Sequence, residues 1–169
     1  VLLLSLLKYL ITFAHCKADS KSPPPMTTLT NRITVNASVQ ELWSVLSNLE
    51  ELDQYDPTVK KSTIISTHRT GMDAARKVLM RDGKNWFEEK VTAFEPGKAL
   101  CYQLTDCSFP IHGLKHSYRF KPTPNGTEVE QVMEYTVKFG LLGKLMDRLM
   151  IRKQTSAGIH KFFAELKAH

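Results

Sequence analysis

From Val59 to Val137 the sequence takes on a period of two, with apolar residues favouring alternate positions in each run, and turn dipeptides fall at Asp82-Gly83, Pro96-Gly97 and Asn125-Gly126. Period two is the mark of strands with one face in a core, and Gly, Asn, Asp and Pro supply the backbone angles of tight reversals. A chain patterned this way is committed to an antiparallel meander. With two-residue loops the registers can be written down. Around Asp82-Gly83, Val78 pairs with Phe87, Met80 with Asn85 and Arg76 with Glu89. Around Pro96-Gly97, Val91 pairs with Tyr102, Ala93 with Leu100 and Glu89 with Leu104. Around Asn125-Gly126, Tyr118 pairs with Met133, Phe120 with Gln131, His116 with Tyr135 and Leu114 with Val137. These pairings gather most apolar residues on one face and leave Lys77-Glu88 and Lys121-Glu130 as cross-strand ion pairs on the other. Leu79 and Trp86 are exceptions, meeting each other on the outer face.

The period changes on both sides of the meander. Leu29 to Val35 alternates and is rich in β-branched residues, so it reads as a first strand. Ser38-Val39-Gln40-Glu41 is a capping box that starts a helix at Val39, with Leu42, Val45, Leu46, Leu49 and Trp43 on its apolar face. Leu49 to Tyr55 reads as a second short helix, stopped before Pro57. Gly140 to His169 contains no proline and reads as one long helix. Its stripe of Leu142, Leu145, Leu149, Arg152, Ser156, Ile159, Phe163 and Leu166 is apolar at both ends and polar in the middle, which places its centre over a cavity rather than packed side chains. The competing reading rotates the helix so that Met146, Met150 and Ala157 complete the stripe and Arg152 snorkels. Strand, two helices, six strands and a long helix give an α+β fold, in which a twisted antiparallel sheet of about seven strands wraps the terminal helix and the two short helices close one end.

Length and composition fit one soluble domain: 169 residues, 42% hydrophobic and 24% charged. A net charge of +6 leaves nucleic acid or an anionic membrane open without arguing for either. Three cysteines, Cys16, Cys101 and Cys107, form no even disulfide framework, which favours a reducing, cytoplasmic location. Residues 1–25 form a separate extension. Val1 to Cys16 is apolar but has no basic start, carries Lys8 in its middle and is too short to span a bilayer. With Pro23 to Pro25 behind it, the segment reads as a degenerate signal or anchor, an appended arm, or upstream sequence before a start at Met26. A genuine signal would make the protein secreted or membrane-anchored. Residues 26–169 read as a single domain.

Several stretches carry a family resemblance. They are Ile33-Thr-Val-Asn-Ala-Ser-Val-Gln-Glu-Leu-Trp43-Ser-Val-Leu46, Gly71 to Arg76, Asp82-Gly83, Glu88-Glu89-Lys90-Val91, Glu95-Pro96-Gly97-Lys98-Ala99-Leu100-Cys101-Tyr102, Gly126-Thr127 and Phe139-Gly140-Leu-Leu-Gly143. In this order and spacing, Met26 to about Lys167 resembles the polyketide cyclase/dehydrase branch of the START-like, pollen-allergen-like helix-grip superfamily, often labelled SRPBCC. Members often carry two glycines before the arginine, whereas this chain has only Gly71. The resemblance implies a deep, mostly apolar cavity between sheet and long helix. It does not imply one activity, since members include lipid and hormone carriers, aromatic-polyketide cyclases, quinone-binding proteins and co-chaperone-like domains.

On the inferred inner face lie Arg76, Glu89, Tyr102, His116, Tyr118, Gln131 and Tyr135, with Val78, Phe87 and Met133 as apolar neighbours and Leu149, Arg152 and Ser156 facing them from the helix. Arg76 opposite Glu89 is the arrangement that burial of either charge demands. Either the two form a structural pair, or Glu89 holds Arg76 toward a carbonyl or carboxylate of a ligand. Arg76, His116 and Tyr135 are the candidate catalytic residues, able in type to polarise a carbonyl and remove an acidic proton. His116 reads first as a hydrogen-bonded wall residue. Cys101, Cys107, His112 and His116 are not spaced as a structural zinc site, and Cys101 falls on the face opposite His116, so no metal is expected. No phosphate-binding, nucleophile-elbow or metalloprotease motif is present, and neither a cofactor nor a nucleic acid partner is expected. The basic residues of the last helix read as a solvated face, with transient contact with an anionic membrane as the alternative. The leading expectation is binding, and in some settings transport, of a small hydrophobic or amphipathic molecule. A cyclase or dehydratase acting on a polyketide-like substrate is the second, and a co-chaperone-like interaction module using Leu79 and Trp86 the third. Ligand identity and oligomeric state are not encoded in any motif.

Overall fold

The structure, a computed structural model, describes residues 26–138 and 152–168. The expectations for residues 1–25 and for Gly140 to Ile151, Leu149 among them, lie outside the described residues. Strand β1 (Thr27–Val35) is followed by helices α1 (Val39–Ser47) and α2 (Leu52–Tyr55). Strands β2 (Val59–Ile64), β3 (Ala75–Met80), β4 (Trp86–Glu95), β5 (Ala99–Cys107), β6 (Ile111–Thr123) and β7 (Gly126–Val137) come next, and helix α3 (Arg152–Ala168) ends the described chain. The strands form one antiparallel sheet in the order β1-β7-β6-β5-β4-β3-β2, so the meander runs outward from β7 and the first strand returns to pair beside the last. This is the expected α+β helix-grip architecture.

Local chemistry accounts for the helical corner. The Ser38 hydroxyl accepts from the Glu41 amide at 3.2 Å, and the Glu41 carboxylate accepts from the Ser38 amide at 2.7 Å, completing the capping box. The Ser38 hydroxyl also donates to that carboxylate at 2.7 Å, and this bond first, with the one from the Ser38 amide, holds the Glu41 carboxyl below its usual pKa. Trp43 of α1 packs edge-on against Phe94 and Phe120, with ring centroids 5.0 and 5.6 Å away. Helix α2 is shorter than expected and starts at Leu52. In α3 the buried side chains are Ile159, Phe162, Phe163 and Leu166, while Ala157 is exposed. The helix therefore presents the Ile159-Phe163-Leu166 stripe, widened by Phe162, rather than the rotated face that would bury Ala157. Phe162 meets Tyr55 of α2 at 5.7 Å, and both belong to the same core as the inner face of the sheet.

The turns decide which registers hold. Arg76 pairs with Glu89 and Val78 with Phe87 as expected, and the outer-face pair Leu79-Trp86 also forms. Between β4 and β5 the loop is one residue longer than a two-residue reversal, since Glu95 pairs with Ala99. Ala93 consequently faces Cys101, not Leu100. A bulge between Val91 and Ala93 absorbs the extra residue, so Val91-Tyr102 and Glu89-Leu104 stand as expected. Between β6 and β7 the reversal is Pro124-Asn125, with Thr123 paired to Gly126. The expected centre, Asn125-Gly126, lies one residue too late, so the pairs from Lys115 to the turn shift by two, and an irregularity between His112 and Lys115 adds one more beyond it. His116 faces Met133, Tyr118 faces Gln131 and Phe120 faces Val129; Ile111, not Leu114, faces Val137. The expected Lys121-Glu130 pair is replaced by Lys121 opposite Glu128 and Arg119 opposite Glu130, and Glu130 forms its ion pair with Arg32 of β1. Proline prefers the position after the first turn residue and glycine the fourth, which is where Pro124 and Gly126 fall.

Gly126 is fixed for a second reason. Its φ is +116°, and a Cβ added there would lie 2.1 Å from the Val35 carbonyl oxygen at the end of β1. Gly126→Ala is expected to lower the unfolding free energy by roughly 1–3 kcal/mol through strain and collision. Denaturant unfolding of the variant checks this, and an unchanged midpoint would refute the close approach.

Candidate functional site

Alternation along β7 buries Thr127, Val129, Gln131, Met133, Tyr135 and Val137 on the inner face of the sheet. Register then assigns their neighbours. One row across the sheet runs Asn31, Gln131, Tyr118 and Leu100; the next runs Leu29, Met133, His116, Tyr102 and Val91. The expected inner-face residues of the sheet are therefore brought together, and Arg76, Glu89, Tyr102, Tyr118, Gln131, Met133, Tyr135 and Val78 are all buried. Phe87 and His116 are half-buried. Arg152 and Ser156 belong to α3, but their side chains lie outside the described residues.

Arg76 and Glu89 are 4% and 2% exposed. The guanidinium donates from Nε at 2.8 Å and lies with Nη2 2.7 Å from the same carboxylate oxygen, Oε1. Nη1 donates to the Leu49 carbonyl at 3.3 Å, the group sits 4.6 Å above the Tyr102 ring, and it is hydrogen-bonded to Tyr55. Burial works against the positive charge, but the neighbouring groups, Glu89 first among them, together outweigh it and Arg76 stays charged. Burial pushes the Tyr55 phenol up to about 12 against the pull of Arg76. Burial likewise raises Tyr102 and Tyr118, so all three are neutral phenols at neutral pH. Tyr102 donates to the Leu46 carbonyl at 2.8 Å, and Ser62 donates to the Leu49 carbonyl. Helix α1 has no basic residue in its last turn; Tyr102 satisfies the Leu46 carbonyl that its C-terminal end leaves free, and Ser62 the Leu49 carbonyl just beyond the helix.

The other end of the inner face is less complete. Gln131 is 2% exposed and donates from Nε2 to the Tyr118 hydroxyl at 2.9 Å, yet its buried Oε1 has no hydrogen-bond partner. Nε2 of His116 and Nδ2 of Asn31 are buried without partners as well. Burial lowers the His116 pKa, with Arg76 adding to the effect and Glu89 opposing it, so the imidazole is neutral at pH 7. Asn31 is the inner-face residue that sequence reasoning missed. Its signal was present, because Leu29, Asn31, Ile33 and Val35 alternate and Asn31 breaks their apolar run.

Cys101 faces Ser117 while Tyr102 faces His116, which puts Cys101 and His116 on opposite faces of the sheet. Among the described residues no group of three or more His, Cys, Asp or Glu is placed to hold a metal ion. Leu79 and Trp86 are half-buried, and the Lys77 ammonium lies 4.2 Å from the centroid of the Trp86 ring. No helix among the described residues is long and apolar enough to cross a membrane.

Residues 26–169 match the family described as polyketide cyclase/dehydrase and lipid transport. The chain belongs to that family. No curated protein matches it by sequence. Among solved structures it is similar to the di-domain aromatase/cyclase StfQ of the steffimycin biosynthetic pathway, with 18% identity and a TM-score of 0.71 over 85% of this chain. This chain spans 50% of that protein's length. The ZhuI aromatase/cyclase from a Streptomyces species aligns at 12% identity and a TM-score of 0.67, over 85% of this chain and 94% of its own. A START superfamily protein from Mycobacterium smegmatis aligns at 17% identity and a TM-score of 0.65, again over 85% and 94%. At such identities these likenesses establish the fold, and the SRPBCC family with its START-like relatives is the one the sequence resembles.

Removing either member of the buried ion pair leaves the other charge uncompensated. Arg76→Leu or Glu89→Leu alone is expected to cost about 3–5 kcal/mol, while the double variant recovers most of that loss. Denaturant unfolding of the three variants reads the coupling, and additive losses would disprove it. His116 predicts a pH dependence. Its folded pKa lies below the unfolded one, so the unfolded chain binds the proton more tightly. Stability falls as pH drops below the ordinary histidine value of 6.5, and the loss is complete only below the depressed folded value. Relative to wild type, His116→Phe is expected to flatten the curve of Tm against pH below that value. Parallel curves would rule this out.

Proposed function

We propose that the protein binds a small hydrophobic or amphipathic molecule between the inner face of the sheet and the C-terminal helix. The observation that carries this reading is the pair of orphaned buried atoms, Oε1 of Gln131 and Nε2 of His116. A buried polar group without a partner costs about 1–3 kcal/mol, and folded proteins rarely leave two such groups near each other without a use for them. Their neighbours along the two rows are mostly apolar or neutral: Leu29, Met133, Tyr102 and Val91 beside His116, and Tyr118 and Leu100 beside Gln131. A mostly apolar lining with a few convergent polar groups is the usual composition of a small-molecule site. The family's description, which names both polyketide chemistry and lipid transport, agrees with a ligand of this class. Binding residues in this reading are Arg76, Val78, Phe87, Glu89, Tyr102, His116, Tyr118, Gln131, Met133 and Tyr135, with Arg76 and Glu89 setting the frame rather than facing the ligand. Leu149, Arg152 and Ser156, which the sequence alone places opposite this face, are the helix residues this proposal adds.

One feature favours a second reading. A neutral imidazole with a free Nε2 is what a general base requires, so His116 could draw a proton from an acidic carbon of a polyketide-like substrate. Native mass spectrometry of the full chain tests both readings. A discrete co-purifying molecule that is released on denaturation, and that Met133→Trp abolishes without unfolding the protein, is the expected result. A bound molecule converted over time to one of lower mass by loss of water, in wild type but not in His116→Phe, would move the assignment to the enzyme. Absence of any ligand from repeated preparations, together with no binding of Nile red, would overturn the proposal.

A further inference from the structure

The two rows of inner-face residues differ in what they ask of a ligand, and this rests on the reading of that face as a binding face. Asn31 of β1 and Gln131 of β7 are direct cross-strand partners and therefore point to the same side of the sheet. Their unpartnered atoms are chemically opposite: Nδ2 of Asn31 is a donor, and Oε1 of Gln131 is an acceptor. Cross-strand neighbours of this kind could in principle bond to each other, yet each remains without a partner. The Gln131 amide is instead oriented by its bond from Nε2 to the Tyr118 hydroxyl, which leaves Oε1 as its free end. A group that joins the two must accept from one and donate to the other. Hydroxyl does both with a single atom, whereas a carboxylate, a ketone or an ether only accepts.

Charge points the same way. The described charged side chains buried on this face are Arg76 and Glu89, and they neutralise each other at 2.7 Å. Among the described residues a carboxylate buried here would find no unpaired cation, and burying an uncompensated charge costs far more than burying a hydroxyl. We infer that Asn31 and Gln131 form a hydroxyl clamp, and that the ligand is an uncharged alcohol or phenol with an apolar body rather than a fatty acid or other carboxylate.

Matched probes test the clamp on the full chain. Calorimetric titration would compare 2-naphthol, 2-methoxynaphthalene and 2-naphthoate, and in parallel 1-dodecanol and dodecanoate. In at least one series the hydroxyl compound is expected to bind ten times or more tighter than its carboxylate, and 2-naphthol tighter than its methyl ether, which accepts but cannot donate. Asn31→Leu and Gln131→Met should each reduce the alcohol's affinity about tenfold; Gln131→Met should leave the ether's unchanged, because the ether has no proton to give it, whereas Asn31→Leu should weaken the ether as well. Asn31 makes no described side-chain hydrogen bond, so Asn31→Leu should keep or raise the Tm while losing affinity for the alcohol, a combination that a purely structural asparagine would not give. Carboxylates binding as tightly as alcohols, or both variants retaining the full preference, would overturn the clamp while leaving the binding site in place. Failure of every probe to bind would overturn both.

Discussion

The ion pair between Arg76 and Glu89 ties the sheet to the helical corner. Arg76 extends from β3 and Glu89 from β4, and through the arginine the pair reaches the Leu49 carbonyl, the Tyr102 ring and the Tyr55 phenol. Charge buried this deeply persists only when every component is placed at once. The pair therefore constrains the strand register, the path from α1 to α2 and the position of Tyr55, against which Phe162 of α3 packs. Tyr102 and Ser62 reinforce the same corner by donating to main-chain carbonyls at and beyond the end of α1. Interior polarity at this end is fully committed to architecture.

Legibility in the sequence followed the kind of information each feature needs. Alternation assigned the faces, and Ser38 with Glu41 marked a helix start that the structure reproduces. The Arg76-Glu89 pairing was readable because Asp82-Gly83 centres its hairpin and nothing in between disturbs the count. Register after Asn125 was misplaced because Gly126 looks like a turn centre, whereas it is the residue after the turn and is pressed against Val35. A shift of two keeps each side chain on its face and changes its neighbour, so the inner-face set survived while His116 exchanged Tyr135 for Met133. Asn31 was overlooked because a lone asparagine in an alternating strand reads as a break in its apolar face until its partner, Gln131, is known. The bulge after Val91 is likewise invisible to a method that counts residues, since it cancels a longer loop.

The inner face thus divides into a saturated half and an unsaturated half. Around Arg76 each described polar group has a use within the protein. Around Gln131, three polar atoms from β1, β6 and β7 are buried without one. Such groups reduce stability in the free protein, and selection tolerates that cost where the same atoms discriminate among bound molecules. Aromatase/cyclases and a START superfamily protein share the framework at less than 20% identity.

The placement of β1 also affects how the chain reaches this state. Its partner is β7, and the Arg32-Glu130 contact closes a separation of 98 residues. Strands β2 to β7 can zip together hairpin by hairpin as they emerge during synthesis, but β1 has no partner until the last of them is available. Closing so long a loop is entropically slow, and a half-apolar strand left waiting is a surface for mispairing. Completion of the sheet, and with it the alignment of Asn31 with Gln131, is therefore the late step in the life of the chain.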